Sequence, residues 1–343
     1  MNLLISCIGK RGYIADYFRP HLDSTDRIIG TANTPWTPGF RACDASFVVP
    51  SADDDGYVPA VLELCERERI DAVICVEDFD LERLVRARGE FLDRGVVPLM
   101  PPVEVVEIAL DKYKTFEFLA AKGIATPRTV LHPADASKLR YPMYVKPRRG
   151  SGSKHVFRAR NAAELDVFFN YAPDMIIQEE VLGPEIDIQL CGDFDGRTVG
   201  FCVLHKLCMR HGETDQAETF RDPEVIDFGL KLGELVKCVG PMDIDVVRHG
   251  DQLVVLEINT RFNGCYPISH LAGVDFPKLL LELVRHGRVR EPSTSFTPGV
   301  VMLKDQSILG GEASRFFRDD LHIRTLGAAG ADTAPTAEPP LRA

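Results

Sequence analysis

Leu253-Val254-Val255-Leu256-Glu257-Ile258-Asn259-Thr260-Arg261-Phe262-Asn263 is the stretch on which the reading of this chain turns. Its first four residues form an apolar run of strand type, and the strand continues through Asn259. Side chains alternate across a strand, so Glu257 and Asn259 share one face and Ile258 takes the other. A carboxylate and an amide oxygen side by side suit a hard cation such as Mg²⁺. Arg261 follows with a planar cationic fork that fits phosphate or carboxylate. Read alone, the stretch serves equally well as a strand end whose polar residues meet water. The segments around it decide between the two.

Immediately upstream, His249-Gly250-Asp251 reads as a hairpin turn leading back to a strand at 242–248 that carries Asp243 and Asp245. Counting from the turn sets Asp245 opposite Leu253 or Val255, and a slip of one residue would flip its face. Earlier, a strand ends in His205-Lys206-Leu207-Cys208-Met209-Arg210, and the polar stretch after Gly212, to Arg221, reads as a mobile lid. Gln178-Glu179-Glu180-Val181-Leu182-Gly183-Pro184-Glu185-Ile186-Asp187 gathers carboxylates around a short apolar turn. Such groups accept well from an exocyclic amine and from ribose hydroxyls, and serve as readily as a solvated face. Lys146-Pro147-Arg148-Arg149-Gly150-Ser151-Gly152-Ser153-Lys154 lies between two short strands. Its small residues let backbone N–H groups approach phosphate oxygens. The loop is no P-loop, because G-x-x-x-x-G-K-[ST] is absent and a strand follows.

A single helix is expected over 103–122, carrying Asp111 and Lys112. Before it, a strand at 2–8, a glycine turn, a helix at 58–68, a strand at 71–76 and a helix from Glu77 alternate as in a parallel sheet covered on both faces. Glu77, Asp78 and Asp80 follow a strand's C-terminal end, where ligands of open α/β sheets collect. They are candidates to meet a substrate amine, and equally to cap the helix.

At 343 residues the chain exceeds a single core. With 45% hydrophobic and 27% charged residues it reads as an ordinary soluble globular protein. No apolar run approaches the ~20 residues that span a bilayer, and the first residues read as a strand and not a signal peptide, so a cytoplasmic protein is expected. Nine cysteines without any C-x-x-C pair fit free thiols in a reducing compartment. The net charge of −11 argues against nucleic acid and anionic membrane as partners. A polyanionic ligand would therefore have to be met by locally gathered cations.

In this order the segments resemble the ATP-grasp superfamily, in its branch similar to carbamoyl-phosphate synthetase and the carboxylate–amine ligases. The resemblance rests on Asp111-Lys112, Val145-Lys146-Pro147 with its Gly/Ser loop, the Gln178–Glu185 acids, Lys206-x-x-x-Arg210 and Leu256-Glu257-Ile258-Asn259-x-Arg261. Leu271-Ala272-Gly273-Val274-Asp275 also looks like this branch. It implies an ATP-grasp fold of mixed α/β and α+β class. An N-terminal parallel-sheet domain would span 1–105, a linking helix and small lid subdomain 106–183, and a C-terminal antiparallel-sheet subdomain 184–326. Residues 327–343, rich in Ala, Pro and Thr, are expected as a disordered tail.

The same resemblance implies that Lys112 and Lys146 contact the phosphates of ATP, under a loop of Gly150, Ser151, Gly152 and Ser153. Glu179 would accept from the adenine amine, the Val181 backbone would read the ring edge, and Glu185 would take the ribose. Asp245 (with Asp243 as its rival), Glu257 and Asn259 would hold one or two Mg²⁺ ions, with Mn²⁺ an acceptable substitute. Lys206, Arg210 and Arg261 would address the transferred phosphoryl group and the acceptor carboxylate. The implied activity is ATP-dependent ligation: a small carboxylate becomes an acyl phosphate and is joined to an amine, often an amino acid, releasing ADP and phosphate. Partners would be these small molecules, with a homodimer as an admissible assembly. Competing readings are a single-module phosphorylating enzyme like carbamoyl-phosphate synthetase, a non-catalytic ATP-binding regulator, and an NAD(P) dehydrogenase. The last is opposed by Gly9-Lys10-Arg11-Gly12, which lacks G-x-G-x-x-G.

Overall fold

The structure is a computed structural model and describes residues 1–150, 152–210, 212–312, 316 and 323–325. Ser151 and the expected tail at 327–343 lie outside the described residues. The chain divides into two compact units: Met1–Met100 with Leu280–Gly287 and the stretch from Asp305, and Pro101–Leu279 with Arg288–Lys304. Among the described residues, no helix is long and apolar enough to cross a membrane.

The first unit runs β1 (Asn2–Ser6), α1 (Gly12–Phe18), β2 (Arg27–Ala32), β3 (Ala45–Val48), α2 (Tyr57–Arg67), β4 (Ala72–Cys75), α3 (Asp78–Arg86), α4 (Arg88–Asp93) and β5 (Val97–Pro98). The strands form a parallel sheet ordered β3-β2-β1-β4-β5, and Ile323–Thr325 joins beyond β3. Leu3, Leu4 and Ile5 on β1 and Ala72, Val73 and Ile74 on β4 are all fully buried. Unbroken burial of consecutive strand residues is what helices on both sheet faces produce.

The second unit opens with α5 (Val103–Leu110) and α6 (Lys112–Ala121), where a single helix over 103–122 was expected. Asp111 breaks it. Its backbone is extended, and its carboxylate accepts from the N–H groups of Tyr113 at 3.0 Å and Lys114 at 3.1 Å. Asp favours such a cap over a helix interior. Arg148 holds the same carboxylate at 2.8 Å, so the break also ties α6 to the glycine loop.

A small antiparallel sheet follows, built from β6 (Thr129–Val130), β7 (Met143–Pro147), β8 (Phe157–Ala159) and β9 (Met175–Glu179) in the order β6-β9-β7-β8, with α7 (Ala162–Phe169) against it. Met143, Val145, Leu165 and Ile177 form its core. The larger antiparallel sheet contains β10 (Glu185–Gly192), β11 (Thr198–Arg210), β12 (Glu213–Thr219), β13 (Gly240–His249), β14 (Gln252–Asn259) and β15 (Val301–Leu303). Its order is β14-β13-β10-β11-β12-β15. Among the described residues, the further α-helices are α8 (Pro223–Val236), α9 (Tyr266–Leu271) and α10 (Phe276–His286).

The polar stretch expected as a mobile lid is instead β12, paired with β11 and β15. Thr214, Ala217 and Thr219 are buried there, and β-branched threonine suits a half-buried strand. One face of the large sheet is apolar and meets α8 closely. A Cβ on Gly229 would lie 2.7 Å from Ile188, so only glycine fits that approach. The opposite face is polar, and it forms the site.

Candidate active site

Strand pairing sets four short polar ladders side by side. Asp187 of β10 lies opposite Asp245 of β13, and Gln189 opposite Asp243. On the other edge of β13, Asp243 lies opposite Asn259 and Asp245 opposite Glu257. The expected partner, Leu253 or Val255, is corrected: the pairs from His249–Gln252 to Val246–Val255 run evenly and would put Asp245 opposite Leu256, and a register shift between Asp245 and Val246 moves it on to Glu257. A bulge sets two residues against one, so counting through it fails by one and assigns the wrong neighbours. The shift brings Asp245 to Glu257. One carboxylate oxygen from each of Asp187, Asp243 and Asp245 lies within 4.8 Å of the others.

Cations interleave with these acids. Lys112 Nζ sits 3.4 Å from Glu257 Oε1 and donates to the Gly150 carbonyl at 2.6 Å. Burial alone would raise the Glu257 carboxyl, but Lys112 and Lys146 hold it below the usual range. Lys146, on β7, is pushed down to about 8 by burial, against the pull of Glu257. Lys206 pairs with Asp245 and is 8% exposed. Burial would lower its ammonium, yet Asp245 and Asp187 raise it well above an ordinary lysine. Arg261 Nη1 lies 3.6 Å from Asp243 Oδ1, and its Nη2 donates to Asn259 Oδ1 at 3.3 Å. The Asn259 amide in turn donates to Asp243 Oδ2 at 3.0 Å. Burial raises both Asp187, to about 7, and Asp243. Fixed charges of both signs in such a shielded place act far more strongly than at the surface.

The remaining predicted residues border this cluster or stand off from it. Gly150, Gly152 and Ser153 all have positive φ, so the loop turns through left-handed backbone. Gly152 lies against Gly212, where a Cβ would come 2.3 Å from the Gly152 carbonyl oxygen. Glu179 Oε1 accepts from the Arg128 backbone N–H at 2.9 Å. Val181 is half-buried, and Glu185 is exposed at the start of β10. Arg210 stands apart from the buried groups, 58% exposed and 3.6 Å from Asp215.

In the first unit, Glu77 is 3.2 Å from Arg11, and Asp80 has no exposed surface. Burial raises the Asp80 carboxyl to about 7. A side chain sealed in this way does not reach a substrate amine, which removes Asp80 from that expectation. Helix α3 buries Asp80 on the same face as Leu81 and Leu84.

From sequence, Asn263 and Ser269 fall only within a stretch, 262–270, expected to shape the acyl pocket, Asp187 is one of several acids, and Gln189 carries no expectation. Asn263 donates to Asp187 Oδ2 at 2.8 Å and accepts from Gln189 at 3.2 Å. Ser269 donates to Gln189 Oε1 at 2.6 Å. The alternation Glu185, Asp187, Gln189 along β10 was the available signal.

Two family models match this chain: the PylC-like N-terminal domain over residues 3–99 and the ATP-grasp domain over 109–265. The carbamoyl phosphate synthase large chain of Clostridium beijerinckii is 21% identical over 273 residues, which cover 74% of this chain and 25% of that protein. This chain therefore spans about a quarter of the length of that relative. The D-alanine–D-alanine ligase of Rhodococcus jostii is 29% identical, covering 69% of this chain and 79% of the ligase. Among solved structures, the biotin carboxylase domain dimer of Hydrogenobacter thermophilus 2-oxoglutarate carboxylase, in complex with MgADP, ADP and bicarbonate, has a similar fold. Its TM-score is 0.71 at 18% identity, with 87% of this chain and 72% of that chain covered.

Proposed function

Because the chain belongs to the ATP-grasp family, with a PylC-like N-terminal domain, we propose that it is an ATP-dependent ligase that activates a small carboxylate and joins it to an amine. The observation that carries this reading is the clustering of cations from several elements against the polar face of the large sheet: Asp245, Glu257 and Asn259 of β13 and β14 lie among Lys112 of α6, Lys146 of β7, Lys206 of β11 and Arg261.

The donor set fits Mg²⁺. Asp245, Glu257 and Asn259 offer only hard oxygens, and paired strands bring them together. Bound there, the ion would offset phosphate charge and orient the transferring group. Lys112 and Lys146 hold the phosphates beneath Gly150, Ser151, Gly152 and Ser153. Val181 and Glu185 receive adenine and ribose, and Glu179 turns its second oxygen to the adenine amine. Arg261, Lys206 and Arg210 steady the γ-phosphoryl group and the acceptor carboxylate, which attacks phosphorus and expels ADP. The amine then attacks the acyl carbon, loses a proton, and releases phosphate as the C–N bond forms. Residues 106–183 act as the lid over the 184–326 subdomain, keeping water from the acyl phosphate. An amino acid is the favoured amine, in keeping with the similarity to a D-alanine–D-alanine ligase. The reading includes a cytoplasmic enzyme and a homodimer.

The test is ADP release from MgATP by the purified protein with pooled carboxylic acids and amino acids. Turnover that needs both an acid and an amine supports ligation. Nucleotide binding with no stimulated turnover by any pool points to a regulator, and stimulation by a small acid alone points to a phosphorylating enzyme.

A further inference from the structure

Arg261 leaves β14 on the short turn Thr260–Cys265, and the structure shows what holds that turn. Asn263, two residues on and 8% exposed, places all the polar atoms of its amide on protein partners. Its Nδ2 donates to Asp187 Oδ2 at 2.8 Å, and its Oδ1 accepts from Gln189 Nε2 at 3.2 Å and from the Cys265 N–H at 2.9 Å. Ser269, fully buried at the far end of the turn on α9, donates to Gln189 Oε1 at 2.6 Å. Asp187 and Gln189 sit on β10 directly opposite Asp245 and Asp243, and each is 1% exposed. The turn carrying Arg261 is thus bolted to the strand that faces the acidic ladder.

We propose that Asn263 and Asp187 are positioning residues that set the distance from Arg261 to the phosphoryl-transfer site. This inference rests on the ligase reading, which gives Arg261 its task. Asn263 makes no claim on substrate. It acts through backbone placement, because its bond to Cys265 closes the turn on itself while its other two bonds pin that turn to β10. A shift of about 1 Å in such a group costs on the order of 10²-fold in rate. The nucleotide contacts proposed for Lys112, Lys146 and Glu185 lie outside this network, so ATP binding stays near wild type when it is broken.

The bond has a direction, and that supplies the test. Asn263→Asp sets a carboxylate against Asp187, whereas combining it with Asp187→Asn restores a donor facing an acceptor with the roles reversed. Single-turnover conversion of MgATP to ADP, in the presence of whichever acid pool stimulates the wild type, is measured for both. The expected result is a loss of about 10²-fold in rate for Asn263→Asp with unchanged ATP affinity by calorimetry, and recovery to within about 5-fold in the double variant. A double variant that folds and binds ATP but is no faster than Asn263→Asp overturns the proposal, as does a fully active Asn263→Asp. Should Asn263→Asp fail to fold, the folded double variant and Asn263→Ser, which keeps a shorter acceptor, carry the comparison, and equal rates for Asn263→Ser and wild type also overturn it. If no pool stimulates ATP turnover by the wild type, it is the ligase reading that falls, and this inference with it.

Discussion

Lys206→Met removes the cation that pairs with Asp245 while keeping the length and apolar stem of the side chain. The Lys206 side chain is 8% exposed and that of Asp245 19%, so the ion pair is largely withdrawn from water. Deleting one partner of a buried pair costs about 3–5 kcal/mol. The remaining exposure of Asp245 puts this case near the low end, about 3 kcal/mol. In a unit of roughly 200 residues that lowers Tm by about 6–12 °C. The pH dependence has a definite sign. The raised Lys206 ammonium contributes stability fully below the unfolded lysine value of about 10, so in the wild type this contribution holds throughout pH 5–9. In the variant, Asp187 loses the neighbour that restrains its rise above about 7. A raised carboxyl stays protonated in the folded state while the unfolded chain is ionised, so stability falls as pH rises, by about 1.4 kcal/mol per unit. The deficit relative to wild type should therefore be smallest near pH 5 and largest near pH 8–9. Calorimetric melting of both proteins without nucleotide, across that range, measures it. An equal Tm at pH 8, or a deficit that shrinks as pH rises, would refute the charge assignment.

Other consequences follow from the same cluster. Lys146 is held at about 8 in the free protein, so at pH 8.5 most of it is neutral, and an arriving triphosphate should draw a proton onto it. Calorimetric titration of ATP in buffers of different ionisation enthalpy should then show proton uptake at pH 8.5 that is small at pH 6.5 and absent in Lys146→Met; uptake unaltered by that substitution would exclude Lys146. Glu257→Gln keeps the shape of a metal ligand but removes its charge. It should weaken Mn²⁺ binding in the presence of ATP, read by electron paramagnetic resonance, and slow turnover on the order of 10²-fold. Full metal-dependent activity in Glu257→Ala would sink the metal assignment.

Much of the fold can be read locally. The apolar runs of β1 and β4 announce strands buried on both faces, and Glu257-Ile258-Asn259 announces a polar face at a strand end, because alternation is a property of the backbone. The break at Asp111 was legible in principle, since Asp at an N-cap is a local preference, but helical periodicity on both sides concealed it. β12 was misread because its polar composition says nothing of the strands on either side that bury Thr214 and Thr219.

The site divides in the same way. Sequence alone determined which residues are acid, amide or cation, which of them share a strand face, and the family to which their order belongs. Tertiary structure decided which of them meet. The shift at Asp245 sets it opposite Glu257 where even counting from Val246–Val255 would give Leu256, and one misplaced residue in a period of two reverses the outcome. Asn263 finds Asp187 across 76 positions of chain, and Ser269 finds Gln189 across 80. The charge of Lys146, Asp187 and Glu257 follows from burial and from opposite charges brought in by other strands. Such effects decay over a few ångströms in space and have no counterpart in distance along the chain, so only the folded arrangement sets them.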